Sequence, residues 1–297
     1  MLINGDNLRT LGVGFNAAFS RGVGQAESDH LLVATPVPSS TKTNEYGWLG
    51  KIPSVREWLG PRVVQNISSG KYEITNRPYE LTVGVDRDDI EDDNIGQYTP
   101  LFEELGRSVA AHPSELVYAL LKLGSSTICY DGQYFFDTDH PVLDEAGTPV
   151  SVSNYGGGSG PLWVLVDDSR ALKPIIYQMR RDFAWVKKDK DTDDNVFERR
   201  EFLYGVDGRM AVGFAFWQFA YASRQPLTVE NYEAAYVALA SMKGDYGRPL
   251  GLRPRKLIVP PALTGAATAI TKNQLTTGGA TNQWQGTSEA VMTPWLA

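Results

Sequence analysis

The stretch Thr99 to Gly124, TPLFEELGRSVAAHPSELVYALLKLG, constrains the fold more than any other part of the 297-residue chain. Its apolar residues recur with the helical period, and it starts as helices start. Thr99 is a capping residue, and Pro100 stands where a missing amide donor costs nothing. Glu103 and Glu104 put negative charge near the positive end of the helix dipole. Leu101, Leu105, Val109, Leu116, Leu120 and Leu123 fall on roughly one stripe, which is the expected buried face. Lys122 lies in the last turn, and Gly124 is a candidate left-handed terminator. Pro113 predicts a kink near His112. A helix of about 25 residues would be roughly 37 Å long, a beam against which other segments can be laid.

The remaining chain offers shorter elements. Residues 1–28 carry five glycines, with Leu2, Leu8, Leu11, Phe15 and Phe19 spaced as a weak amphipathic helix. Two readings are open: a frayed terminus, or an arm that orders only against a neighbouring subunit. HLLVAT (30–35) reads as a strand. A segment broken by Pro36, Pro38, Gly47, Pro53 and Gly60 follows, holding a short helix bounded by Pro53 and Gly60. Trp48, Ile52, Val55, Trp58 and Leu59 share a helical spacing there, so they belong either to the protein's own core or to an interface. KYEITNRPYELTVGV (71–85) alternates as a strand. Paired with 30–35 it would make a two-stranded projection, too thin to be stable without a partner.

Further on, PLWVLVD (161–167), KPIIYQ (173–178), 196–204 and the almost wholly apolar 210–222 read as strands, with 187–195 a charged hairpin tip. Thr228 caps a second helix. A buried strand (RKLIVP), a short third helix (PALTGAATAIT) and a last strand (AVMTPWL) close the chain. Together these elements give an α+β protein.

Little in the sequence points to catalysis. The acidic runs 86–93 and 137–140 invite a metal reading, yet 86–94 lacks the glycine and final glutamate of a calcium loop. In 187–195, Asp194 occupies the position that a calcium loop gives to glycine. A Cys129–His140 dyad has no nucleophile elbow or cysteine-protease surround. No phosphate loop, dinucleotide fingerprint or zinc spacing is present, so no cofactor is expected. The formal net charge of −7 argues against a nucleic-acid glove. The single cysteine excludes an intrachain disulfide and fits a reducing compartment. No basic leader or membrane-length apolar run is visible.

Several runs nevertheless carry a resemblance. EYGWLGKIPSVREWLGPR, YELTVGVDRDDIEDDNIGQYTPLFEELGRSVAAHPSELVYALLK, CYDGQYFFDTDHPV, SRALKPIIYQMRRDF and EFLYGVDGRMAVGFAFWQFA occur in this order from about residue 40 to 265. They resemble the major head subunit (major capsid protein, gpT family) of Mu-like transposable tailed phages. The resemblance implies the tailed-phage major capsid fold of the Hong Kong ninety-seven type and no enzymatic activity. It implies an N-terminal arm and first strand over 1–35, with the arm proper at 1–28, and an extended loop over 36–80. A peripheral domain with spine helix 99–123 would cover 81–225, and an axial domain with the C-terminal strand 226–297.

On this reading Trp48, Ile52, Val55, Arg56, Glu57, Trp58 and Leu59 are intersubunit contacts of the extended loop. Leu101, Leu105, Val109, Leu116 and Leu120 are the spine-helix core. Partners would be further copies of the chain in hexamers and pentamers of an icosahedral shell, a scaffold protein and portal during assembly, and a decoration protein. Double-stranded DNA would be enclosed without sequence-specific binding, and assembly would take place in the bacterial host cytoplasm. The runner-up from another class is a soluble metal-dependent enzyme using 86–93 and 137–140.

Overall fold

The computed structural model describes residues 2–47, 49, 72–190, 192–276 and 278–297. In chain order its elements are α1 (Gly5–Gln25), β1 (Ala34–Pro38), β2 (Thr43–Glu45), β3 (Glu73–Thr75), β4 (Arg77–Asp86), α2 (Arg87–Glu91) and α3 (Tyr98–Lys122). There follow β5 (His140–Leu143), β6 (Pro149–Val152), β7 (Tyr155–Gly158), β8 (Trp163–Val166), β9 (Ile175–Lys188), α4 (Asp194–Arg199) and β10 (Glu201–Phe214). The chain ends with β11 (Ala220–Arg224), α5 (Val229–Ala240), β12 (Lys256–Val259), α6 (Thr264–Thr271) and β13 (Glu289–Met292).

Two sheets carry the molecule. One is ordered β1-β9-β10-β4, with β1 parallel to β9 and the other pairs antiparallel. The second is ordered β13-β12-β8-β11-β7, so the C-terminal strands share a sheet with strands from 155–166 and 220–224. Its strand β8 is buried throughout, as expected of an apolar run covered on both faces. The pairs β2–β3 and β5–β6 are separate two-stranded ribbons.

The beam is α3, 25 residues long and continuous through Pro113. It begins one residue earlier than its sequence signals indicate, at Tyr98 after a 3-10 turn, and Gln97 rather than Thr99 takes the capping position without a side-chain bond. The buried face is also rotated from the leucine stripe. Tyr98, Phe102, Leu105, Val117, Tyr118 and Leu121 are buried, Val109, Leu116 and Leu120 are half-buried, and Leu101 (51% exposed) and Leu123 face out. Leu101 is therefore not a core residue of the isolated chain. The aromatics fix the rotation: each removes more apolar surface from water than a leucine does, so the helix turns them inward. Gly124 is not left-handed. A Cβ there would lie 2.4 Å from the Phe136 ring, so glycine is required by close approach.

Two further expectations are corrected. The terminal segment neither frays nor waits for a neighbour, because α1 lies on α3 of its own chain, burying Leu8, Leu11, Phe15 and Ala18. Strand β1 pairs with β9 and not with 71–85; the ribbon partner of 73–75 is 43–45. Residues 30–32 form a 3-10 turn, since the strand starts only at Ala34.

Two clusters of buried side chains result. The larger joins the lower half of α3 to both sheets, α5 and α6. The smaller gathers α1, the start of α3, β4 and the far end of β10 around Phe15, Phe102 and Tyr204.

Candidate assembly surfaces

Four places combine exact positioning with exposure or unusual chemistry. The first is the contact of α1 with α3. Gly22 and Gly106 let the two backbones touch: a Cβ on Gly22 would lie 1.9 Å from the Glu103 carbonyl oxygen, and one on Gly106 2.1 Å from that of Phe19. Phe15 stacks on Phe102 at 4.3 Å and meets Tyr204 edge-on at 5.2 Å. Arg21 and Glu103 form an exposed ion pair at 2.8 Å.

The second is the root from which 48 and 50–71 depart. The Tyr46 hydroxyl donates to Gln178 Oε1 at 2.6 Å, and Gln178 Nε2 donates to the Ile74 carbonyl at 3.2 Å. Asn76 Nδ2 donates to Ser39 Oγ at 2.8 Å and to the Thr41 carbonyl at 3.0 Å. On the other strand the Phe214 amide donates to the Tyr72 hydroxyl oxygen at 2.7 Å, and burial pushes the Tyr72 phenol up to about 12. Gln178 and Asn76 are buried polar groups that would cost free energy without partners, and each holds one side of the root in place. Trp48, Ile52, Val55, Arg56, Glu57, Trp58 and Leu59, the expected contact residues, lie outside the described residues.

The third tests the metal reading. Among the described residues one group, Cys129, Asp131 and His140, brings three possible ligand atoms within 4.8 Å of one another. Each of those atoms already has a partner. Cys129 Sγ donates to Asp131 Oδ1 at 3.0 Å, and His140 Nδ1 stands 2.7 Å from Asp131 Oδ2. His140 Nε2 stands 3.3 Å from Asn154 Oδ1. The ring stacks on Trp217 at 3.8 Å, with 8° between the planes.

Asn154 has its orientation fixed, since its Nδ2 donates to the Phe135 and Trp217 carbonyls and its Oδ1 accepts the Asp137 amide. Burial first, and Asp131 second, push the Cys129 thiol well up, which keeps it protonated and a poor ligand. Burial would raise the Asp131 carboxyl, but hydrogen bonds led by that of His140 hold it below the usual range. The group is thus a buried brace tying residues 129–140 to Asn154 and β11's lead-in. The acids of 86–93 are used locally: Asp86 caps α2, and Asp89 accepts from Tyr98, Asn94 and Gln97. Asp137 accepts the amides of Tyr134 and Thr138.

The fourth is the tip of the β9–β10 hairpin, where α4 leaves Phe197 89% exposed. The reading of 196–204 as a strand is corrected here: Asp194–Arg199 form a short helix, and the strand begins only at Glu201. The only available signal was Asn195-Val196-Phe197 itself, an uncharged triplet between Asp194 and Glu198.

No helix among the described residues is long and apolar enough to cross a membrane. What these features share is that they position surface rather than substrate: a hydrogen-bonded pair of strand ends at Tyr46 and Tyr72, a packed terminal helix, an exposed aromatic tip and two separate sheets. The architecture is an α+β capsid fold. A chain from the procapsid of bacteriophage JBD30 superposes with a TM-score of 0.87 at 44% identity, covering 99% of this chain and 100% of that one. A chain from the JBD30 capsid gives 0.77 at 35% identity, covering 92% of each.

The model of the Mu-like prophage major head subunit gpT matches residues 8–296. The major capsid protein of Escherichia phage Mu is 40% identical over 305 residues, covering all of both chains. The Mu-like prophage FluMu major head subunit of Haemophilus influenzae is 44% identical, covering 91% of this chain and 90% of that one. The chain belongs to the Mu-like major head subunit family. It is a structural protein of the virion shell and not an enzyme.

Proposed function

We propose that copies of the chain associate as hexamers and pentamers into a closed shell around double-stranded DNA, with 36–80 as the extended loop reaching a neighbouring copy. The observation that carries this reading is the rooted ribbon. Tyr46, Tyr72, Asn76 and Gln178 use buried hydrogen bonds to hold the two ends of one segment side by side. Such a root costs chain entropy of roughly 1–2 kcal/mol per fixed residue, which contact with a neighbour would offset. Trp48, Ile52, Val55, Arg56, Glu57, Trp58 and Leu59 are the contact residues of that loop in this reading.

Residues 1–35 form the arm and first strand, 81–225 the peripheral domain and 226–297 the axial domain, whose sheet borrows strands from 155–166 and 220–224. A separate scaffold and a portal take part in assembly within the bacterial host cytoplasm. A decoration protein is a further partner; a related JBD30 capsid is described as decorated with minor capsid protein trimers. The net charge of −7 supports a wall that contains duplex without gripping it.

Electron microscopy of the purified chain after assembly tests the reading. Closed particles with six- and five-fold capsomers are expected. Only monomers to tetramers, under every condition that preserves folding, would overturn it. Limited trypsin digestion tests the loop: cleavage at Lys51, Arg56 and Arg62 should be fast in free subunits and nearly absent in shells.

A further inference from the structure

A cavity of about 610 Å3 opens between the end of α3 and the rim of the second sheet. Its walls come from separate parts of the chain. Pro161 and Leu162 lead into β8, Pro260, Pro261 and Ala262 lead towards α6, and Leu296 lies in the C-terminal 3-10 turn. All six are apolar. Two cations complete the lining, Lys122 in the last turn of α3 and Arg224 at the end of β11, and no aspartate or glutamate is among the lining residues.

Arg224 is placed before any ligand arrives. Trp163 pairs with Ser223, so Leu162 and Arg224 belong to the same end of the β8–β11 pair. The Gly160 amide donates to the Arg224 carbonyl at 2.8 Å. A Cβ on Gly158 would lie 2.4 Å from the Arg224 carbonyl carbon, so glycine is required there by close approach. Of the five guanidinium donors, one on Nη1 reaches the Gly160 carbonyl at 3.3 Å. The Lys122 ammonium has three donors and gives one to the Ala297 carbonyl. Among the described residues neither cation forms an ion pair with an aspartate or glutamate.

These two properties select a ligand. The proline and leucine walls gain from an aliphatic body, because covering them removes apolar surface from water. The two cations gain from one anionic head that accepts charge-assisted hydrogen bonds. A cationic ligand would meet two like charges, and a small, wholly polar anion would leave the apolar walls wet. The site also stands out against a chain of formal net charge −7, where positive charge without a facing acid is a local attractor for anions. We propose that this cavity binds a small aliphatic carboxylate, with the hydrocarbon against Pro161, Pro261 and Leu296 and the head group on Arg224 and Lys122.

Calorimetric titration of the full-length soluble chain with butanoate, hexanoate and octanoate tests the proposal. One site is expected, with affinity rising by up to about fourfold for each added methylene. Octyltrimethylammonium, with the same tail and the opposite charge, should not bind. Arg224→Gln should weaken octanoate binding by about tenfold or more. Ala262→Trp substitutes an exposed position and should fill the hollow, abolishing binding while leaving the thermal melt close to wild type. Octanoate held no more tightly than butanoate, equal binding of the two octyl compounds, or octanoate binding indifferent to both substitutions would overturn the proposal.

Discussion

The terminal helix and the hairpin tip meet apolar surface in opposite ways. In α1 both phenylalanines have found partners within the chain: Phe15 lies against Phe102 and Tyr204, and Phe19 against Trp185 at 5.4 Å. At α4 the two preceding residues, Asn195 and Val196, are buried and Phe197 itself is not. Both segments are short on intrinsic stability and both are fixed by their surroundings. The difference is where the aromatic ring lies: Phe15 is buried inside the subunit, and Phe197 stands exposed on it.

The comparison can be broken most severely at α3. Leu105→Asp buries an unpaired carboxylate at a position 3% exposed and should cost several kcal/mol of a typical ~5–15 kcal/mol stability, abolishing soluble protein. Leu101→Asp, one turn away on the open face, should express normally. Equal loss in both would mean that the buried face is not the one described.

Next in size is Gly106→Ala. Its Cβ would collide with the Phe19 carbonyl, so α1 must shift, at a cost of about 1–3 kcal/mol of overpacking. The thermal melt should fall, and N-terminal residues should become protease-sensitive. An unchanged melt would show that α1 is held loosely.

Asn154→Ala removes the amide that holds the Phe135 and Trp217 carbonyls and the Asp137 amide, leaving buried groups unsatisfied at about 1–3 kcal/mol. The same brace sets an acid dependence. The Asp131 carboxyl is held below its ordinary range in the fold, so its contribution is present above the unfolded value of about 4 and fades as pH falls through the folded one. Asp131→Asn should flatten the acid limb of a stability–pH curve, and an unaltered limb would remove this residue from the account. The smallest effect is expected for Arg21→Ala, whose exposed ion pair is worth about 0–1 kcal/mol. A larger drop in the melt would mean that the pair, rather than the glycine contact, holds α1.

Legibility in the sequence followed the range of the interactions. The spine helix could be read from its own period, as could α5 with its Thr228 cap, whose hydroxyl accepts the Asn231 amide at 3.3 Å. The rotation of α3 could not, because Tyr98 and Phe102 turn inward toward Phe15 and Tyr204, residues about 80 to 105 positions away in the chain. The partner of β1 was missed for the same reason: Ala34 faces Ile175 across a parallel pair that no local pattern encodes. The root of the loop depends on Asn76 and Gln178, polar residues that read as surface until a fold surrounds them. Phe197 was misplaced by the opposite fault: Val196, Phe197, Phe202 and Leu203 read together as a strand, whereas the bonds of Asn195 to Lys188 and Glu201 close 194–199 as a helix.

The burial of Cys129 has a consequence outside the single molecule. A particle wall repeats its surface many times at very short spacing, so one accessible thiol per copy would become a dense field of reactive groups once the particle met air and peroxide. Here the sulfur is sealed in, hydrogen-bonded to Asp131 and kept from ionising. The thiolate is the form that oxidants and electrophiles attack. Particles made of this chain should therefore age without covalent knitting or sulfur oxidation, and their durability should be indifferent to reducing agents.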